Sequence, residues 1–267
     1  MIGLFLGDTD FSEIVLNKVK ELKKKYFIID FSRSNKFKKE KNSYRISIGK
    51  FGEIIKLIKK KKSKKVLFAG KIAKPNFSSL RLDLKGIYYM PSVIRAAKIG
   101  DAAIIKAIIK ILANEGVKVI SSIFFNPELS LKKGNYSKIK PNKQDIISIK
   151  KGQSYFNKIN NLDHIQALVV KDGKIVAKEG IEGTKKMLSK LKIITDGILI
   201  KLPKRKQDLR IDLPTIGLQT LKDIKKLHLR GVVLKSKKNV FLDKKKVITF
   251  ANKNKIFINI TWRKFLS

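Results

Sequence analysis

No cysteine occurs in this chain of 267 residues, which excludes disulfides, thiolate nucleophiles and zinc sites built on sulfur. Histidine is nearly missing as well. His164 and His228 are the only two, so a Ser–His triad or a histidine-rich metal centre lacks its parts, and both read as structural or surface residues. Acidic residues are few, 21 against 62 Lys and Arg. A metal ion would have to be held by Asp and Glu oxygens, which points to Mg2+ or Mn2+. Long hydrophobic runs are also absent. The opening MIGLFLG is too short for a signal peptide and has no basic region, and the run from Ile94 to Leu112 is broken by Arg95, Lys98, Asp101, Lys106 and Lys110. The expectation is a cytoplasmic protein, at most peripheral at a membrane.

What is present is lysine and aliphatic residues. The net charge is +41, yet only eight of the basic residues are arginine. Phosphate clamps and sequence-specific readers of nucleic acid favour the bidentate arginine fork. The lysines are spread along the whole chain, so the charge reads as a solvated surface with no specific nucleic-acid partner. The rival, a nucleic-acid-binding protein, rests on the charge alone. With 43% hydrophobic residues the chain can bury proper cores, and its length suggests two domains.

The first half alternates strand and helix patterns. Ile2–Leu6, Tyr26–Phe31, Tyr44–Ile48, Val66–Ala69 and Val117–Ser121 read as strands, and 11–25 and 51–62 as helices, with helices dominating 92–115. Repeated β–α–β units of this length predict a parallel sheet with ligands at the carboxyl ends of its strands, here Gly7–Asp8 and Gly70–Lys71. The punctuated stretch NPELSLKKGNYSKIKPNKQD marks the boundary. The fold class predicted is α/β with two domains, an N-terminal Rossmann-like parallel sheet over 1–130 and a C-terminal mixed α/β domain over 131–267. In the second, a helix over 145–160 precedes a hairpin around Asp172-Gly173, then a helix over 183–191 and strands at 198–201, 232–234 and 256–260.

The densest motif is RIDLPTIGLQTLKDI, from Arg210. Pro214 pushes Leu213 into an extended conformation, so the chain is expected to leave a strand and turn, with Thr215 as the N-cap of the following helix. A helix N-terminus suits a phosphate, Asp212 at its mouth a hard cation, and Arg210 a phosphate oxygen. An ordinary strand–turn–helix joint is the plainer reading. Glu179-Gly180-Ile181-Glu182-Gly183-Thr184 offers two carboxylates for a cation and a threonine for a phosphate, or a simple helix cap. Gly7-Asp8-Thr9 lacks the spacing of a dinucleotide fingerprint or a P-loop, and a plain β–α turn accounts for it. Phe68-Ala69-Gly70-Lys71, with Lys74 beyond, offers a close backbone approach beside charge, or only a glycine-terminated strand. Together these pieces suggest metal-assisted hydrolysis or transfer at a phosphate.

The chain resembles the LpxI family of UDP-2,3-diacylglucosamine pyrophosphatases almost end to end. The resemblance is carried by FGEIIKLI (51–58), FAGKIAKPNFSSLRLD (68–83), KIGDAAIIK (98–106), EGIEGTKKML (179–188) and KQDLRIDLPTIG (206–217). It implies a magnesium-dependent enzyme of lipid A synthesis with two domains and the substrate held between them. It would hydrolyse a lipid-linked UDP-sugar to UMP and 2,3-diacylglucosamine 1-phosphate. The family's essential aspartate corresponds to Asp212, with Glu179 and Glu182 as further metal candidates. Gly7, Gly70, Lys71, Asp101, Gln166, Thr184, Arg210 and Thr215 are the candidate substrate contacts. Gly7-Asp8-Thr9 stands where the family usually has a glycine triplet, and Gly100-Asp101-Ala102 replaces a GDD-like segment. A binder that has lost catalysis is the alternative. A homo-oligomer and a peripheral contact with the inner membrane are further expectations.

Overall fold

The computed structural model describes residues 1–73, 75–159, 165–204 and 207–262. His164, Lys74 and Lys206 lie outside them. The chain forms two compact units, Met1–Asn126 with Arg210–Asp212, and Pro127–Leu209 with Leu213–Ser267.

The first unit is a five-stranded parallel sheet. Its strands are β1 (Ile2–Leu6), β2 (Tyr26–Asp30), β3 (Ser43–Tyr44), β4 (Lys65–Ala69) and β5 (Lys118–Ile120), in the order β3-β2-β1-β4-β5. All five residues of β1 are buried, as expected of a strand covered on both faces. The helices are α1 (Asp10–Glu21), α2 (Phe51–Lys60), α3 (Leu84–Ile99) and α4 (Asp101–Asn114). Phe5, Phe27, Ile55, Ile58, Phe68 and Leu112 belong to one core cluster.

Several boundaries move for local reasons. The first helix stops at Glu21 rather than residue 25, because Lys23 adopts a left-handed φ of 51° and ends the helical turn. The expected helical block 92–115 begins earlier, at Leu84, and is cut in two at Gly100, whose φ of 143° suits glycine. Its true start is set by Asp83. That carboxylate accepts the Gly86 N–H at 2.7 Å as N-cap of α3, and also the Glu53 N–H at 2.9 Å in the first turn of α2. The residue at the N-cap of α2, Lys50, makes no side-chain cap bond of its own. One carboxylate therefore starts two helices. A second, Glu115 just after α4, binds Lys85, Lys59 at 3.3 Å and the Tyr89 hydroxyl at 2.9 Å, tying α2 and α3 to the end of α4. The Lys85 bond, then burial opposed by the other partners, leaves the Glu115 carboxyl below its ordinary range.

The second unit holds a six-stranded mixed sheet in the order β6-β13-β11-β9-β7-β8. These strands are β6 (Gly134–Asn135), β7 (Ala167–Lys171), β8 (Lys174–Lys178), β9 (Ile198–Lys201), β11 (Gly231–Lys235) and β13 (Phe257–Thr261). The inner three, β13, β11 and β9, are parallel, while β7 and β6 run antiparallel to their neighbours. The hairpin β7–β8 turns at Asp172-Gly173, where both residues have positive φ. Its helices are α5 (Lys143–Lys158), α6 (Thr184–Ser189), α7 (Leu218–Lys226) and α8 (Lys244–Lys253). Two core clusters, one with Leu199, Val232 and Ile258 and one with Ile200, Val233 and Phe257, lie on alternate residues of the same strands, so the sheet is buried on both faces.

The expected N-cap at Thr215 is corrected. Thr215–Ile216 is a short strand, β10, paired in parallel with β12 (Val240–Phe241), and the Thr215 hydroxyl donates to the Leu213 carbonyl at 3.0 Å. Extended backbone after Pro214 is taken up by strand pairing, and α7 opens later, with Gly217 at its N-cap. Arg210 and Ile211 lie in a turn rather than a strand.

Asn239 holds this unit's interior. It is fully buried, accepts the Leu131 N–H at 2.9 Å, and donates to the carbonyls of Leu131 at 3.0 Å and Lys235 at 2.7 Å. Asn239→Leu would leave three buried backbone groups unpaired, and we expect a loss of about 2–4 kcal/mol in urea unfolding. Asn239→Asp should fare no better, because a carboxylate has no hydrogen to give the two carbonyls. An Asn239→Asp variant as stable as the parent would refute the assignment.

Candidate functional site

In the first unit the candidates gather at the carboxyl edge of the parallel sheet, the general position for ligands in such folds. Gly7 follows β1, Gly70 and Lys71 follow β4, and Asp101 begins the helix that returns to β5. Residues 210–212 join this unit. The Ser122 N–H, two residues past β5, donates to the Arg210 carbonyl at 2.7 Å, and Ile211 packs against the core cluster of Phe5 and Phe68. Asp212 is thereby placed, half-buried, by the end of β5, and the Arg210 side chain is exposed.

The glycines have a packing reason of their own. The N–H of Gly7 donates to the Ala69 carbonyl and that of Asp8 to the Lys71 carbonyl, both at 2.9 Å. The Gly7 carbonyl accepts from the buried Ser12 hydroxyl at 2.8 Å, so both polar groups of Gly7 are engaged inside the protein. A Cβ at Gly7 would overlap the Lys71 carbonyl oxygen, and one at Gly70 would overlap Ser12 Oγ. Asp8 accepts the Arg33 N–H at 2.7 Å and fixes the loop after β2.

Sequence reasoning passed over Asp30 at the end of β2. It is 1% exposed and accepts from the Ser32 N–H at 2.8 Å, the Ser32 hydroxyl at 2.6 Å and the Phe37 N–H at 3.1 Å. In doubly wound sheets a carboxylate near this strand end can meet a ribose. Here it is turned inward and organises its own loop. An apolar strand ending in Asp before Ser-x-Ser was the available signal.

In the second unit a different group forms where β9 ends beside the start of β7 and the end of β8. Glu179 is 6% exposed and accepts the Gln166 N–H at 2.7 Å and the Thr184 hydroxyl at 2.8 Å. The Gln166 side-chain amide donates to Gln207 Oε1 at 3.2 Å, and the same oxygen accepts the Lys204 N–H at 2.8 Å. Lys201 Nζ donates to the Thr215 carbonyl at 3.3 Å. Gln166, Thr184 and Glu179 thus form one connected network, with Gln207 as a member the motif reading missed although it lies inside KQDLRIDLPTIG.

The paired carboxylates of EGIEG have separate tasks. Glu179 has internal donors on both oxygens, whereas Glu182 is exposed and bound to Lys190, whose hydrogen bond holds its carboxyl below the ordinary value despite a small opposing effect of burial. No group of three or more His, Asp or Glu side chains suited to a metal ion occurs among the described residues. An all-protein cage is not what the donor set offers. A Mg2+ ion that enters with a diphosphate needs one or two carboxylates, its other ligands being phosphate oxygens and water. The half-buried Asp212 fits that requirement.

Residues 1–129 match the model of the LpxI N-terminal domain, and residues 132–259 that of the LpxI C-terminal domain. A relative from Caulobacter vibrioides, UDP-2,3-diacylglucosamine pyrophosphatase LpxI, is 31% identical over 223 residues, 80% of this chain and 80% of its own length. With both halves matched in order, the chain belongs to the LpxI family.

Proposed function

We propose that this protein hydrolyses the diphosphate of UDP-2,3-diacylglucosamine, releasing UMP and 2,3-diacylglucosamine 1-phosphate in lipid A synthesis. The observation that carries the reading is the match of both halves to LpxI domains together with the identity to a pyrophosphatase of that name. The setting would be the cytoplasmic side of the inner membrane, with the protein peripheral to it and self-associated as a homo-oligomer.

Asp212 is the residue we assign to the chemistry. Water attacks one phosphorus, the bond from that phosphorus to the bridging oxygen breaks, the electron pair leaving with that oxygen, and a carboxylate oxygen of Asp212 takes the proton of the water. Mg2+ or Mn2+, when bound with the diphosphate at Asp212, would neutralise its charge and favour in-line attack. Arg210 and Lys71, both exposed at the carboxyl edge of the first sheet, supply charge for phosphate oxygens. Asp101 lies in the first turn of α4, the helix that leads into β5, and offers an acceptor for a hydroxyl of the sugar or ribose. In the second unit the Glu179 network sets Gln166 and Thr184, and Thr215 opens the short strand β10 soon after Asp212. Glu179 acts there as a positioning residue.

UMP release from UDP-2,3-diacylglucosamine should require a divalent cation, stop with EDTA, and fall by about a thousandfold in Asp212→Asn, a change that leaves shape intact. Full turnover by that variant would remove Asp212 from the mechanism. Tight substrate binding without release by the unaltered protein would favour a binder that has lost catalysis.

A further inference from the structure

Helix α3 has two faces, and only one is covered by the first unit. Gly86, Met90, Val93 and Ala96 are buried. On the other side Leu84 is 87% exposed, Ile87 58%, Tyr88 76% and Ile99 70%, with Pro91 and Ile94 also exposed. Positions 84, 87, 88, 91 and 94 follow helical spacing along a single stripe. Pro91, whose missing N–H leaves the carbonyl one turn back without its helical donor, lies on this exposed side. Large apolar side chains in a contiguous exposed stripe mark an interaction surface rather than ordinary scatter.

The rim of the stripe has one sign. Arg81, Arg95 and Lys98 are exposed around it, and α3 contains no Asp or Glu. The neighbouring carboxylates are already engaged: Asp83 by helix N–H groups, Glu115 by Lys85, Lys59 and Tyr89, while Asp101 lies in the first turn of α4. A second copy of this chain packed on the stripe by two-fold symmetry would set this basic rim against itself. An anionic bilayer complements both parts, with acyl boundary for Leu84, Ile87 and Tyr88 and headgroups for the arginines and lysine.

We propose that the outer face of α3 is the surface by which this protein docks on an anionic membrane. It gives a location to the peripheral contact of the functional reading, but its argument needs only the stripe and its rim. UMP release from detergent-dispersed substrate reports the reaction separately, so failure of one does not imply failure of the other.

The test uses the full chain and vesicles of phosphatidylglycerol with phosphatidylcholine. A lysine-rich surface binds such vesicles non-specifically at low salt, so binding is compared near 0.1 M and at about 0.5 M salt, where surface attraction is screened. The variant Leu84→Ser, Ile87→Ser, Tyr88→Ser keeps every charge and alters only exposed side chains; its melting temperature checks the fold. Unaltered protein should remain bound at the higher salt, and the variant should bind at least about ten times more weakly. Tyr88→Trp in a Trp262→Phe background should show a blue-shifted emission when vesicles are added. Equal binding by variant and parent would overturn the proposal. So would a dimer that the triple substitution dissociates while vesicle binding stays unchanged, since that would assign the stripe to a second copy.

Discussion

Gly70→Ala should be among the most damaging single substitutions in the first unit, lowering its stability by about 3–5 kcal/mol in denaturant titration. Two costs add. Gly70 has a φ of +83°, where a side chain costs about 1–2 kcal/mol. Its new methyl would also overlap Ser12 Oγ, with Thr9 Oγ1 at 3.1 Å and the Gly7 carbonyl carbon at 3.2 Å closing the other sides. Ser12 is fully buried and donates toward the Gly7 and Ala69 carbonyls at 2.8 and 2.9 Å, so moving its hydroxyl unpairs groups that no water reaches. The two costs can be separated. In a Ser12→Ala background the steric part should largely vanish while the φ part persists, so the double variant should lose less than the sum of the singles. Strict additivity, or a loss below about 1 kcal/mol for Gly70→Ala, would show that the close approach is not what requires glycine.

Asp83→Ala should cost about 1–4 kcal/mol, because one side chain caps two helices and each cap is worth about 0.5–2 kcal/mol. The same variant should change how stability depends on pH. Burial acts to raise the Asp83 carboxyl, but the N–H groups of Gly52, Gly86 and Glu53, with the charge of Lys50, outweigh it and hold the group below its ordinary value of 3.8. A carboxyl depressed in the folded state contributes stability above its unfolded value and loses it as pH falls through the folded one. Between neutral pH and about pH 5 that contribution should therefore be constant, and below pH 3.8 it should drain away in the parent protein. Asp83→Ala should show a shallower acid limb, and Asp83→Asn, which keeps one acceptor oxygen, should fall between the two in stability. Parallel acid limbs for parent and alanine variant would contradict the double cap.

The sequence made the periodic elements legible and left hidden those that depend on distant partners. Ile2–Leu6 and Ile198–Lys201 read as strands because short apolar runs bounded by turn residues can do little else, and Asp172-Gly173 announced its hairpin. The opening of α3 at Leu84 was not readable from local pattern, since its exposed face is apolar and blurs the helical period. The short strand at Thr215 was missed for another reason. Its partner, Val240–Phe241, lies well downstream, and local propensity favoured a helix cap that tertiary pairing overrode. At the candidate site, residue types were legible but their division of labour was not. EGIEG offered either a carboxylate pair for a cation or a helix cap, and spacing cannot reveal that Glu179 turns toward Gln166 and Thr184. At Gly70 the sequence left open a close backbone approach or a plain strand end, and it could not reveal that Gly7 lies against Lys71 and Gly70 against Ser12.

The short excursion of residues 210–212 into the first unit bears on how this protein can be made and divided. A ribosome releases the first sheet complete in its strands long before Arg210 exists to meet the Ser122 N–H. Until then the end of β5 has no partner for that donor and no Ile211 over its core, so the last step of folding in the first unit waits for chain that follows most of the second. A gene cut after residue 130 would yield a fragment that carries the glycine edge but lacks the aspartate placed upon it. Its counterpart would carry Asp212 without the strand end that fixes it. Although two domains can be drawn, neither can be inherited, swapped or borrowed alone with that aspartate in its place.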